Sequence, residues 1–183
     1  MPLNSPATDQ MHEGDTQLRD SLEQGLRRAW QMVDARQPLR LVLAQLTSIA
    51  ESLSPDSVCS ILVLDSEGLL RNGASPNLPA DYLDAIDRLK PDPLVGTCAA
   101  AAATGEIVVT PDFRADTRWA ELRHLPLALG YHSAWSQPIK SADGRVLGTF
   151  GTYFRSRREP TPQERETVAL LARVAANALT APA

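Results

Sequence analysis

The chain contains only two cysteines among its 183 residues, and Cys59 and Cys98 lie far apart in the sequence. Such a pair supports neither a disulfide framework nor a cysteine metal site, and it fits a reducing compartment. Long apolar stretches are also absent: no run of about 18 apolar residues occurs, and the polar N-terminus lacks the apolar segment of a secretory signal. We therefore expect a cytoplasmic protein that has no membrane contact.

The chain also has no excess of basic residues, with 18 Lys and Arg against 22 Asp and Glu. The formal net charge is −4 and the pI is ≈ 5.4, so the chain does not attract polyanions over a distance. The tightest basic cluster, Arg155, Arg157 and Arg158, is followed at once by Glu159. We interpret it as the solvated end of a strand, with a nucleic-acid contact as the minor alternative, and we expect no nucleic-acid partner.

The remaining composition is that of a globular protein, with 43% hydrophobic, 22% charged and 5% aromatic residues. The length suits one domain plus an extension. Residues 1–15 contain two prolines, Gly14 and little that could pack, and we expect a disordered arm there. Apolar residues at helical spacing then predict two helices within residues 16–54, the first ending before Pro38.

Segment 55–180 is predicted to form one domain in which strands alternate with short helices. Apolar and β-branched runs predict strands at 57–65, 69–74, 106–110, 131–141 and 144–156. The last two flank Ala142-Asp143-Gly144, a strong hairpin signal, and Pro138 favours a sheet edge or a bulge.

Turn and capping residues place the helices of this segment. One opens at Pro79, and Thr97 can cap an alanine-rich helix that ends at Gly105. Asp116 is a plausible N-cap of a helix ending at Gly130. Thr161-Pro162-Gln163-Glu164 supplies a capping box for the last helix. The order favours an α+β fold, a central antiparallel sheet with helices on its faces and the N- and C-terminal helices packed together.

Three blocks of the sequence carry a family resemblance: GTCAAAAATGEIVVTPDF, ADTRW, and SAWSQPIKSADGRVLGTFGTYF followed by PTPQE. From about Ser57 to Leu179 the chain resembles a GAF domain, the sensory module of cyclases, phosphodiesterases, histidine kinases and transcription regulators. It is most similar to the bacterial kind with G-x-C-G, D-P-x-W and W-S-x-P-I motifs, often attached to cyclic-di-GMP enzymes or sensor kinases. Ala99 replaces the glycine after the cysteine, and Thr117 replaces the proline.

Other branches of the family fit less well. The N-K-F-D-E signature of cyclic-nucleotide-binding GAF domains is absent. Bilin-binding domains carry a histidine beside the cysteine, whereas Cys98 has Thr97 and Ala99 as neighbours. Free methionine sulfoxide reductases use three clustered cysteines, and only Cys98 lies in the matching region.

Cys98 is the candidate for thiol chemistry, because free amides and the helix dipole in the first turn of a helix lower the pKa of a thiol. No histidine or acid lies close in sequence to act as a base, so we prefer a packing role. The amides of residues 98–100 could instead bind an anionic or carbonyl group, or the alanines could simply pack. His124 and His132 lack ligand spacing, so we expect neither a metal site nor a catalytic site.

The resemblance implies that aromatic residues wall a ligand cavity. The expected ligand-binding residues are Thr97, Cys98, Ala99, Asp112, Phe113, Trp119, Tyr131, Trp135, Thr149 and Tyr153. Indole N–H and phenol O–H groups in an apolar pocket would orient a small ligand. Strand alternation puts Trp135 on one face with Ile139, and Thr149 with Tyr153. Core packing is the alternative for each residue singly.

We therefore expect a non-enzymatic sensory or regulatory domain of bacterial signal transduction that binds a small molecule. The sequence identifies neither the ligand nor a cofactor. Ligand binding would order segment 96–130, and the change would pass to the terminal helices, which could pair in a homodimer. A cyclase, phosphodiesterase or kinase output domain would be linked or separate. The alternatives are a thiol redox sensor or reductase using Cys98, and a degenerate GAF domain that only dimerises.

Overall fold

The computed structural model describes residues 6–182, with the side chains of residues 13–182. The α-helices are α1 (Pro6–Asp34), α2 (Leu39–Leu53), α3 (Ala80–Ile86), α4 (Cys98–Thr104), α5 (His124–Ala128) and α6 (Pro162–Thr180). The strands are β1 (Ser57–Leu64), β2 (Leu70–Ala74), β3 (Val108–Thr110), β4 (Ser133–Lys140) and β5 (Val146–Phe154). A 3-10 helix spans Thr117–Trp119. Within the described residues, no helix is both long and apolar enough to cross a membrane.

The strands form one antiparallel sheet in the order β2-β1-β5-β4-β3. The predicted hairpin is present as β4 and β5. Pro138 lies beyond the pairing of β4 with β3, which reaches only Ser136, and the register shifts just after Ile139. A proline without an amide donor is tolerated in such a place, and its predicted edge or bulge position is confirmed.

Helices cover both faces of the sheet, and the predicted α+β fold is confirmed. Helices α1, α2 and α6 contact one another, and α2 and α6 pack on one face, which we call the bundle face. Helix α4 packs on β3, β4 and β5 from the other face, which we call the chamber face. Strand β5 supplies both interiors: Phe150 and Phe154 belong to the bundle core, and Tyr153 to the chamber core.

Helix α1 begins at Pro6, so the prediction of a disordered arm was wrong for residues 6–15. Residues 1–5 lie outside the described part of the chain. A proline in the first turn loses no intrahelical hydrogen bond. Gly14 costs a helix interior only about 1 kcal/mol relative to alanine, too little to stop a helix that continues into an apolar stripe.

The single helix expected after Asp116 is also corrected. Asp116 does cap, but the helix behind it is a short 3-10 helix, and α5 is a separate element. Pro126 lies within α5, and its missing amide cannot donate to a carbonyl one turn earlier. A continuous α-helix would therefore lose a hydrogen bond at Pro126, whereas a proline in the first turn of a separate α5 loses none.

A polar cluster at the ends of three elements joins them, which we call the Arg158 cluster. The Arg158 guanidinium donates to Glu164 from two nitrogens, at 2.8 Å each, and lies 3.0 Å from Asp56. Ser54 Oγ donates to Glu164 at 2.7 Å, and the predicted capping box of Thr161 and Glu164 is present. Arg158 is thus ion-paired and only 25% exposed, rather than solvated as the sequence suggested. The cluster connects α2, β1 and the start of α6.

Glu164→Gln keeps the shape of the Glu164 side chain and removes its negative charge from the Arg158 cluster. Burial by itself would raise the pKa of Glu164, but hydrogen bonds from Arg158, the Thr161 amide and Ser54 outweigh it and lower the pKa from 4.5 to about 2. Such a carboxylate stabilises the fold above its unfolded-state pKa and loses that contribution as the pH falls toward the folded-state pKa. We expect the variant to lose about 1–3 kcal/mol of unfolding free energy near neutral pH in urea titrations.

The deficit should shrink as the pH falls from about 4.5 to about 2, because wild-type Glu164 is then protonated as well. Glu159→Gln, which changes an exposed carboxylate nearby, is the control and should shift stability by less than about 0.5 kcal/mol. A deficit of equal size at about pH 7 and about pH 3 would contradict the charge-based account.

Candidate ligand-binding chamber

A small enclosed space lies on the chamber face, and we call it the tyrosine chamber. It is bounded by Tyr82 of α3, Cys98 of α4, Trp119 of the 3-10 helix and Tyr153 of β5, with aliphatic side chains between them. Its volume is ≈ 20 Å³, about the room that one water molecule needs. A larger ligand therefore requires the covering segment to move outward.

The ring of Tyr153 is the centre of an aromatic cluster. Tyr82 and Tyr131 have ring centroids 5.9 Å from it, and Phe113 and Trp119 have centroids 6.5 Å from it. Phe113 and Trp119 also contact each other at 4.4 Å. Separations of this size suit offset and edge-to-face contacts. Rings from α3 and from residues 113–131 therefore meet at one strand residue.

Two tyrosine hydroxyls meet inside the chamber. Tyr82 Oη donates to Tyr153 Oη at 2.8 Å, and the two side chains make no other side-chain hydrogen bond within the described residues. Burial is the main cause that raises the pKa of both phenols above the ordinary value, so both are neutral. The Tyr82 hydroxyl uses its hydrogen in this bond, so the hydrogen of the Tyr153 hydroxyl has no acceptor within the described residues. The chamber thus holds a buried donor that a ligand acceptor could use.

Cys98 packs directly on the sheet. Its Sγ lies 3.0 Å from Ser136 Oγ, and a Cβ built at Gly151 would come within 2.9 Å of the sulfur. Only glycine at that strand position leaves room for the thiol. Burial raises the pKa of Cys98, outweighing its hydrogen bonds to hydroxyl groups. Cys98 is buried, in line with the packing role preferred from the sequence, and the lowered pKa on which the redox alternative depends is absent because desolvation raises it.

Thr97 holds the N-cap position of α4 without capping it. Its backbone is αR, no side-chain cap bond is present, and its Oγ1 accepts from Ser136 Oγ at 2.9 Å. The predicted cap is corrected, whereas the predicted stop at Gly105 is confirmed by its left-handed conformation at φ 68. Ser136 therefore joins the start of α4 to β4, and it is buried.

Trp119 does not offer its indole N–H to the chamber. Trp119 Nε1 donates to Thr110 Oγ1 at 3.1 Å, and Thr110 donates onward to Asp116 at 2.6 Å. Burial would raise the pKa of Asp116, but hydrogen bonds from Arg118 and Thr110 lower it below its ordinary value. This chain fixes the 3-10 helix against β3. Trp119 therefore contributes its ring face to the chamber and no donor.

The structure brings together most of the ligand-binding residues expected from the sequence. Thr97, Cys98, Ala99, Trp119 and Tyr153 line the chamber. Phe113 and Tyr131 contact the Tyr153 ring, and Thr149 is buried on the same face of β5. This arrangement provides an apolar, uncharged site.

Two of the expected residues lie elsewhere. Trp135 pairs with Thr152 across β4 and β5 and belongs to the bundle core, on the opposite face of the sheet. Asp112 lies near the surface, where it accepts from the Arg114 amide and pairs with Arg157 at 3.4 Å. Strand alternation accounts for the position of Trp135. Its partner Thr152 is the residue next to Tyr153, and adjacent strand residues point to opposite faces of the sheet.

Tyr82 and Ser136 were not among the site residues predicted from the sequence. The sequence indicated Tyr82 only as an apolar-face residue of the helix after Pro79. Ser136 lies within a predicted hairpin strand, and no sequence signal marked it as a site residue. Within the described residues, no group of His, Cys, Asp and Glu side chains could hold a metal ion.

Comparison with known proteins identifies relatives of this chain. It is 34% identical over 128 residues to the methyl sulfide methyltransferase-associated sensor of Methanosarcina acetivorans, which covers 69% of this chain and 13% of that protein. The chain thus spans about an eighth of the relative's length, and the alignment concerns only that part.

Solved structures show the same fold at low identity. A domain of a protein described as a two-component sensor histidine kinase from Sinorhizobium meliloti 1021 matches with TM-score 0.63 and 20% identity, over 76% of this chain and 89% of that one. The reduced form of fRMsr from Staphylococcus aureus matches with TM-score 0.68 and 12% identity, over 87% and 95%.

The family model of the GAF domain matches residues 36–180, from just before α2 to the last residue of α6. The chamber, the sheet and the terminal helix all lie within that match. The chain belongs to the GAF domain family, and it is related to a domain of a sensor protein.

Proposed function

We propose that this GAF domain is a non-enzymatic sensory module of a signalling protein, which binds a small molecule in the tyrosine chamber and signals through its terminal helices. The observation that carries the proposal is the spare hydrogen of the Tyr82–Tyr153 hydroxyl pair in an otherwise apolar, aromatic space. A buried donor without a partner costs about 1–3 kcal/mol, and a ligand acceptor would recover that free energy.

The chemistry of the chamber selects the ligand class. Its walls are aromatic and aliphatic, and both tyrosines are neutral. An anion would enter without a cation to pair with it, which is unfavourable in a buried site. The ligand we propose is therefore small, uncharged at its buried end, and equipped with a hydrogen-bond acceptor for the tyrosine pair.

Entry of the ligand requires the segment that carries Trp119 to move outward. That segment is held by the Gly96 amide, which donates to Arg118 O at 2.8 Å, and by the bond from Trp119 Nε1 to Thr110. The bonds from Arg118 to Val109 O and from Thr110 to Asp116 hold it as well, so all of these bonds resist the movement. Ligand binding would then order this segment again, in a new position against the bound ligand.

The terminal helices are the proposed output. Helix α4 packs on β4 and β5 from the chamber face, and α6 packs on the same two strands from the bundle face. A shift of β5 would thus reach α6 directly. The relative named as a sensor supports this role, and a cyclase, phosphodiesterase or kinase would receive the signal. The two free, buried cysteines fit a cytoplasmic location.

Tyr153→Phe tests the binding site directly. A thermal-shift screen of nucleotides, tetrapyrroles and aromatic or amino-acid metabolites should identify a compound that stabilises the wild type, by about 2.7 kcal/mol at 100 times its dissociation constant. The same compound should bind Tyr153→Phe about tenfold more weakly, because the hydroxyl pair is lost. Isothermal titration calorimetry measures both affinities.

Asp112→Asn is the matched control, since Asp112 lies near the surface and away from the chamber. Its affinity for the compound should stay within about twofold of the wild-type value. A compound that binds wild type and Tyr153→Phe equally would refute the chamber as its site. No stabilising compound in the whole library would favour a GAF domain that only dimerises.

Thiol reactivity separates this function from a redox enzyme. Both cysteines are buried, and burial raises the pKa of Cys98 and raises that of Cys59 to about 12. In the Cys59→Ser variant, Cys98 should react with a disulfide reagent at about pH 8 at least about 100-fold more slowly in the native state than in urea. Rapid native-state reaction of Cys98 would support the redox alternative instead.

A homodimer through the terminal helices is the proposed assembly. Trp30 of α1 and Leu39 and Leu41 of α2 are 36%, 40% and 39% exposed, which places large apolar side chains at one corner of the bundle. Light scattering should report a dimer for the wild type, and Trp30→Lys should weaken it about tenfold or more. A wild-type mass equal to the monomer at micromolar concentration would rule this interface out.

A further inference from the structure

A second cavity lies on the bundle face of the sheet, between α1, α2 and α6. Its volume is ≈ 510 Å³, within the range of about 300–1,000 Å³ that small-molecule sites occupy. The tyrosine chamber measures only ≈ 20 Å³. The larger space is therefore separated from the site proposed above by the whole sheet, and it already has the volume of a small-molecule site.

The floor of this cavity contains an unsatisfied donor. Trp135 lines it and is fully buried, and its Nε1 has no hydrogen-bond partner within residues 13–182. Cys59 and Thr152 lie on the same floor, where their side chains contact each other at 3.7 Å. Nearly all buried donors in proteins are paired, and this one has no partner within residues 13–182. Because Trp135 is fully buried, the side chains that cover its indole have to move before a molecule in the cavity can supply the missing acceptor.

The walls and the mouth differ in polarity. Leu18 and Leu22 of α1, Leu53 of α2 and Val168 of α6 form apolar walls. Asp15 and Glu166 line the cavity as well, and Arg19 is the single basic side chain among its described lining residues. Glu164 is already paired with Arg158. A phosphate or carboxylate would meet more negative than positive charge here.

We propose that this bundle cavity is a second ligand site, which takes a largely apolar, non-anionic molecule whose hydrogen-bond acceptor pairs with Trp135 Nε1. The acceptor is a carbonyl, ether or ring nitrogen at the buried end of the molecule. The apolar body replaces solvent along the leucines of α1, so the ligand contacts a terminal helix directly. Binding here stabilises the packing of α1 against α2 and α6.

The neutral fluorescent ketone Prodan (6-propionyl-2-dimethylaminonaphthalene) is a suitable probe, since it combines an apolar ring system with one carbonyl acceptor. Titration of the full chain with Prodan should give a blue-shifted emission that saturates at one probe per chain. Trp135→Phe should weaken Prodan about tenfold, because the indole donor is lost. The analogue 2-dimethylaminonaphthalene, which lacks the carbonyl, should displace Prodan from wild type and Trp135→Phe with equal affinity.

Two matched tryptophan substitutions locate the probe. Leu22→Trp fills the bundle cavity from a half-buried position on α1, and Leu122→Trp adds the same bulk at the tyrosine chamber. Prodan binding should fall at least about tenfold in Leu22→Trp and stay within about twofold of wild type in Leu122→Trp. Both positions are only partly buried, so both variants should fold, and circular dichroism checks this.

Three outcomes would overturn the proposal. The first is the absence of saturable Prodan binding to the wild type. The second is loss of binding in Leu122→Trp with retention in Leu22→Trp, which would assign the probe to the chamber. The third is a wild-type dimer that excludes Prodan and that Leu22→Trp converts to a monomer, which would make the cavity a seat for a second copy of the chain.

Discussion

Strand β5 is buried on both faces, so the two-residue period of its side chains divides the molecule into two interiors. Phe150 and Phe154 enter the bundle core, and Tyr153 enters the chamber core. The strand also tolerates very close neighbours: a Cβ at Gly148 would lie 2.2 Å from Leu62 O, and one at Gly151 would lie 2.9 Å from Cys98 Sγ. Strands β1 and β4 pair with it on either side, and α4 and α6 pack on it from opposite faces.

The two interiors differ in how they use their polar groups. On the chamber face, Trp119 Nε1 donates to Thr110, Tyr82 donates to Tyr153, and Cys98 contacts Ser136. Thr149 Oγ1 has no partner there within residues 13–182, and the tyrosine pair keeps one spare hydrogen. The space left over is correspondingly small. On the bundle face the indole of Trp135 lacks a partner and a large cavity remains.

Local sequence signals predicted the fold well. Several predictions about the site were wrong because they depend on contacts between residues far apart in the sequence. The capping box at Thr161 and the stop at Gly105 depend on residues within one turn, and the structure has both. Thr97 failed as a cap because its partner, Ser136, comes from a distant strand. The lowered pKa on which the redox alternative at Cys98 depends is absent, because burial is a property of the whole fold. Alternation did place Trp135 with Ile139, but the sequence does not show which face encloses the chamber.

Under the function proposed here, a signal from the chamber to the terminal helices would have to cross the sheet, and β5 borders both cavities. Tyr153 borders the tyrosine chamber and its neighbour Thr152 borders the bundle cavity. Adjacent residues of a strand point to opposite faces and share one peptide unit, so a displacement of Tyr153 moves Thr152 with it. Because Thr152 pairs with Cys59 on β1 and with Trp135 on β4, the proposed displacement would reach the floor beneath α6 across three strands. Pairing of this kind would carry the proposed shift without any side chain that connects the two sites.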